Sequence, residues 1–217
     1  MNARKKLASI GVCFAEKVTK KEILTADIEL ALLEGALEIG QGKDAKLLSP
    51  ILSWIYMHGE LVNMERLRKL KLKKEIDGDL VWISAFAFFG ISCGQSRWKI
   101  LAINQTQPHA TVDLEFAQLM VKQKGIESWA NGTGFIVPRG SESIAEKYAL
   151  SPSQVAENCR QYRNRLIYGT SWRADIITAL ENGAKNATEA AKMCGSAYEP
   201  AQRVCAELKL ASFKIRM

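Results

Sequence analysis

Apolar residues recur at helical spacing along most of this chain. TADIELALLEGALEIG places Ile28, Leu30, Leu32, Leu33, Leu37 and Ile39 near one helical face, with Thr25 as the expected N-cap and Gly40 as the stop. Asp44 is the next expected cap, and Leu47, Leu48, Ile51, Leu52, Ile55 and Tyr56 form a second face closed by His58-Gly59. Pro50 falls in that helix's first turn, where a missing N–H costs little. Asn63 is placed to cap a short helix carrying Met64, Leu67 and Leu70, which runs into the basic block RLRKLKLKK at 66–74.

GDLVWISAFAFFG is apolar on all sides, which predicts a buried helix capped by Asp79 and ended by Gly90; periodicity alone does not separate it from a buried strand. Short helices are read at SRWKILAIN and at 111–125. The texture then changes: Ile126–Ala130 and Phe135–Val137 flank Asn131-Gly132-Thr133-Gly134, the pattern of a β-hairpin with a longer loop. Beyond it, Ser151-Pro152 opens a helix with Val155, Cys159, Tyr162 and Leu166 as its apolar stripe, and a further helix runs from Ser171 to Asn182-Gly183. The expected architecture is mainly α. It comprises a basic arm (1–24), a helical domain (25–125), a β-hairpin linker (126–140) and a C-terminal helical segment (141–217).

The hydrophobic fraction of 47% and charged fraction of 24% are those of a globular protein, and no stretch approaches the ~18 apolar residues of a membrane span. A cytoplasmic, membrane-free protein is expected. Cysteines at 13, 93, 159, 194 and 205 show no metal-binding spacing, and the two histidines, His58 and His109, lie far from them in sequence, so neither a metal nor a cofactor is expected. No Ser/His/Asp or Cys/His arrangement stands out, which argues against an enzyme. The net charge of +7 fits a polyanionic partner.

That charge draws attention to the C-terminal end. There the order is helix 171–181, turn, helix 187–193, a break at Cys194-Gly195-Ser196, and helix 197–208. Asn186 with Glu189, and Ser196 with Glu199, are spaced as capping boxes. Ala201, Val204, Cys205 and Leu208 share one face and are expected to pack on Ile176, Ile177 and Leu180. The opposite face carries Tyr198, Glu199, Gln202, Arg203 and Lys209; Gln and Arg forks match adenine and guanine edges in the major groove.

This stretch resembles the winged helix-turn-helix of bacterial transcription regulators. Thr188 leads the second helix, Ala191 follows three residues on, Gly195 sits at the turn, and Ala201, Cys205 and Leu208 are the apolar positions of the third. The resemblance covers about a fifth of the chain. It implies a winged-helix unit over 171–217 whose residues 197–208 enter a groove of double-stranded DNA. Tyr198, Gln202 and Arg203 would then read bases, with Thr188, Ser196 and Lys209 on the backbone. The expected wing, SFKIRM at 212–217, is truncated, and Pro200 lies in the third helix's first turn. Arg66, Arg68, Lys69, Lys71, Lys73 and Lys74 form a secondary basic patch, weighed against a plain solvated face in which Leu67, Leu70 and Leu72 pack. Arg160, Arg163 and Arg165 are expected to pair with Asp175 and Glu181. The preferred function is a DNA-binding transcription regulator, with the N-terminal domain serving dimerisation or a protein partner. The alternative is a protein–protein module such as an antitoxin or adaptor.

Overall fold

A computed structural model describes residues 2–74 and 79–211. The chain is mainly helical. Two hydrophobic clusters organise it: a large one from residue 3 to 162, and a small one from 176 to 204.

The large core begins at the N-terminus. Helix α1 (Ala3–Ser9) is capped by Asn2, which accepts the Lys5 N–H at 2.8 Å. Leu7 and Ile10 are fully buried, and the Trp54 indole donates to the Ile10 carbonyl at 2.8 Å. The expected basic arm is therefore a core element. Three of its cations are paired: Arg4 with Asp44, Lys5 with Glu22 and Lys6 with Glu34. Helix α2 (Lys20–Leu24) opens on a Thr19/Glu22 capping box, and Thr25 lies at its C-terminal end. The cap of α3 (Ile28–Gly40) is consequently Asp27, whose carboxylate accepts the Leu30 N–H, and not Thr25.

Helix α4 (Leu48–His58) has Pro50 in its first turn and buries the predicted face except for Tyr56, which is 60% exposed. Helix α5 (Met64–Lys74) is capped by Asn63, which accepts the Arg66 N–H at 3.2 Å. Helix α6 (Trp82–Ser92) settles the strand alternative in favour of a buried helix. Gly90 does not end α6. It lies inside the helix because the Trp98 ring, from the 3-10 turn Ser96–Leu101, packs flat against it. A Cβ there would stand 2.7 Å from the ring.

Helix α7 (Leu114–Lys124) follows, capped by Asp113, with only Ala117 buried. The expected hairpin reduces to a single antiparallel bridge, Ile126 to Pro138, among the described residues. Ser128–Ala130 winds into a 3-10 turn, and Phe135 pairs with His109 instead of across the loop. Trp129, Phe135 and Val137 belong to the large core, so 126–140 is packed structure and not a seam.

Helix α8 (Pro152–Asn158) opens on a Ser151/Gln154 capping box, and α9 (Arg160–Tyr168) follows after a break at Cys159. The break shifts the helical register. Val155, Cys159 and Tyr162 are buried as expected, but the next inward position is Arg165, while Leu166 is 52% exposed. Helices α10 (Trp172–Glu181), α11 (Ala187–Cys194) and α12 (Tyr198–Leu210) pack mutually around the small core. The expected wing at 212–217 lies outside the described residues. No helix among them is long and apolar enough to cross a membrane.

Two predictions follow from the packing. Gly90→Ala should destabilise the fold by about 1–3 kcal/mol despite alanine's better helix propensity, because Trp98 is fully buried and has nowhere to move; an unchanged thermal midpoint would refute this. The second concerns His58, buried between the Tyr162 hydroxyl (2.8 Å) and the Leu150 carbonyl (2.9 Å). Burial holds its imidazolium pKa below the ordinary 6.5, only partly opposed by the Leu150 carbonyl. The unfolded chain then binds the proton more readily, so stability is full above pH 6.5 and falls below it. Urea midpoints between pH 7 and pH 5 should show a slope of at most ~1.4 kcal/mol per pH unit from this group, removed in His58→Gln.

Candidate nucleic-acid interface

The three helices and the Asn186 cap form as expected, and neither expected capping box closes. Asn186 caps α11 by accepting the Glu189 N–H at 2.9 Å, but Glu189 reaches one residue further back and accepts the Lys185 N–H at 2.8 Å instead of that of Asn186. Ala190 and Ala191 are buried, which lets α10 approach closely. Gly195 ends α11 with φ +80°, the left-handed conformation that glycine adopts without a Cβ penalty. The expected Ser196/Glu199 box is absent: the N-cap of α12 is Ala197, one residue on, and the Ser196 hydroxyl instead donates to the Ala197 carbonyl.

Along α12, Ala201 and Val204 are buried and Cys205 and Leu208 pack half-buried against the small core, as their spacing predicts. This orientation leaves Tyr198, Gln202, Arg203 and Lys209 exposed, together with Thr188 on α11, while Ser196 is half-buried in the turn. Among the described residues Arg203, Lys209, Lys185 and Lys192 make no ion pair. Two features dilute the positive surface: Glu199 in the first turn of α12, and an exposed ion pair between Arg173 and Glu207. Met193 and Tyr198, each about half exposed, add apolar area beside the turn.

Behind this unit lies a buried ionic network that no sequence motif announces. Arg165, fully buried, uses all five of its N–H donors. Its guanidinium forks onto the Glu29 carboxylate at 2.6 and 2.8 Å, meets Asp175 at 2.7 and 3.1 Å, and donates to the Leu61 carbonyl at 2.9 Å. Glu29 also accepts the Asn63 N–H and the Arg66 guanidinium, while Asp175 accepts the side-chain amides of Asn63 and Gln161. The network joins α3, α5, α9 and α10.

Arg66 is thus removed from the expected phosphate-binding patch. It is 5% exposed, forks onto Asp27 at 2.6 and 2.5 Å, and donates to the Cys194 carbonyl at 2.9 Å, at the α11–α12 turn. Along α5, Leu67 and Leu70 pack inward as expected, but Lys71 is also buried and Leu72 is 60% exposed, so the leucines-in, lysines-out reading fails at these two positions. Arg68, Lys69 and Lys73 remain exposed; Lys69 pairs with Glu65 and lies over the Trp172 ring of α10 at 4.5 Å. The Lys74 side chain lies outside the described part. Arg160 bonds the Glu181 carbonyl and Asn182, and Arg163 pairs with Glu181, so these arginines stay within the bundle, as expected.

Glu29 was the missed residue that its surroundings make most legible. Its i+3, i+4 and i+7 neighbours are Leu32, Leu33 and Ala36, so a carboxylate stands on the apolar face and requires a cationic partner. Burial raises its pKa, but the Arg165 and Arg66 charges outweigh that and hold it at about 2, against an ordinary 4.5. Its contribution to stability is therefore full above pH 4.5 and lost as pH falls toward 2. Glu29→Gln or Arg165→Met should each cost about 3–5 kcal/mol in urea unfolding at pH 7, since each leaves a buried charge uncompensated. A loss below ~1 kcal/mol would contradict the network's role.

No family model, curated protein or solved structure matches this chain.

Proposed function

We propose that this protein binds double-stranded DNA through α12 of its C-terminal tri-helical unit, as a transcription regulator of the winged-helix type. The observation that carries this reading is the division of α12 into a buried apolar face and an outward face on which Gln202 is exposed and Arg203 makes no ion pair among the described residues. Gln and Arg reach base edges in the major groove, and Tyr198 and Lys209 flank them on the same helix.

The basic block supports the reading in a smaller form. Helix α5 touches the unit through Arg66 on Cys194, Lys69 over Trp172 and Glu65, which accepts the Trp172 indole N–H at 2.8 Å, so the exposed Arg68, Lys69 and Lys73 stand on an element adjoining α10–α12. These three, with Lys185, Lys192 and Lys209, are the phosphate contacts of this proposal; Arg66 and Lys71 are not.

A second reading draws on Glu199, the Arg173–Glu207 pair, and the half-exposed Met193 and Tyr198: the same surface would take a protein partner, as an antitoxin or adaptor does.

Fluorescence anisotropy against a pool of short duplexes, at two salt concentrations, separates them. DNA binding predicts selective association that Gln202→Ala/Arg203→Ala abolishes, and a log–log salt slope that decreases by about 0.9 for each phosphate contact removed, tested with Arg68→Ala and Lys73→Ala. No association, or association indifferent to Gln202 and Arg203, would leave the protein-partner reading.

A further inference from the structure

A wide concavity lies away from the tri-helical unit. It is a groove of about 600 Å³ whose walls come from the N-terminal segment, the start of α4, helix α7 and the loop after residue 138. None of its lining residues belongs to α5 or to α9–α12, so what it binds is independent of the DNA reading. Its volume falls in the range of roughly 300–1,000 Å³ typical of small-molecule sites.

The chemistry of its walls narrows the ligand. Phe14, Pro50, Val112, Phe116, Met120 and Pro138 make the lining mostly apolar. Phe116 is 55% exposed and Val112 49%, although both stand at or beside a helix that buries only Ala117. Several polar groups of the walls are already engaged with one another. Arg4 pairs with Asp44 at 2.6 Å, the Ser49 hydroxyl donates to Glu142 at 2.5 Å, and the Ser143 N–H donates back to Ser49 at 3.1 Å. Lys46 and Lys124 line the same groove, are exposed, and make no ion pair among the described residues. The walls therefore offer apolar surface with two open cations against one carboxylate, Glu142, whose bond to the Ser49 hydroxyl leaves its charge in place; the balance is positive, and the complementary molecule is an apolar chain ending in one anion held at the lysines.

We propose that this groove binds an alkyl carboxylate, its chain against Phe116, Val112 and Phe14 and its carboxylate between Lys46 and Lys124. Burial of the chain gives the affinity, and the lysines select the anion over a neutral analogue.

The test is isothermal titration of the full-length chain with octanoate, and with octan-1-ol as the neutral comparator, at pH 7 and low salt. Octanoate should bind saturably with one-to-one stoichiometry and at least ten-fold more tightly than octanol. Lys46→Gln/Lys124→Gln should weaken octanoate at least ten-fold and leave octanol unchanged. Phe116→Asp should abolish both without moving the thermal midpoint, since Phe116 is exposed and its change does not disturb the core. The proposal is overturned if octanoate gives no saturable heat into the millimolar range, if octanol binds as tightly, if the lysine double variant leaves octanoate affinity unchanged, or if octanoate binding survives Phe116→Asp.

Discussion

The structure depends on one burial. Arg165 carries a guanidinium into a place with no solvent exposure, at a desolvation cost of several kcal/mol that only close, well-oriented acceptors offset. Those acceptors come from far along the chain: Glu29 is 136 residues away, and Asp175 lies on the next helix. Satisfying Arg165 therefore brings α3 of the large core against α10 of the small one. Asn63 and Gln161 fill the remaining positions around the same carboxylates, which fixes the start of α5 and the face of α9 as well. A hydrophobic interface of similar area would tolerate sliding; this set of bonds specifies a single placement.

Arg66 extends that placement to the candidate interface. Its link to the Cys194 carbonyl fixes the turn from which α12 departs, and Gly195 supplies the left-handed step that lets the chain reverse there. A recognition helix gains selectivity when it is held rigidly, because the side chains that meet base edges then have less freedom to lose. The cations of this chain thus divide by job. Arg66 and Arg165 are structural and inward, whereas Arg203, Lys209 and the outward residues of α5 are available to a polyanion.

Much of the helical layout was legible in the sequence because its signals are local. The caps at Asn63, Ser151 and Asn186 and the apolar faces of α4 and α12 all rest on neighbours within a turn or two. The errors share the opposite cause. Thr25 gave way to Asp27 because α2 occupied the preceding residues; Gly90 read as a stop although its role is contact with Trp98; the 126–138 hairpin dissolved because Phe135 pairs with His109. The stripe ending in Leu166 assumed one unbroken helix, and the break at Cys159 turned Arg165 inward instead. Of the candidate site, the exposed face of α12 was readable from period alone. Of the ionic network behind it, the Arg165–Asp175 pair, ten residues apart, was readable; the link that closes it, Arg165 to Glu29 across 136 residues, was not, and only the isolated Glu29 on a leucine face marked that a charge had to be answered.

The most direct test of this account is native-state amide hydrogen exchange, resolved by helix, on the wild type and on Glu29→Gln. If the network unites the two cores, amides buried in α3, α9 and α10 will open with one common free energy in the wild type, and that value will fall by the same amount in all three in the variant. Exchange from α10–α12 at its own lower free energy, unmoved by Glu29→Gln while α3 weakens, would show that the tri-helical unit stands by itself and that the buried ions do not hold it in place.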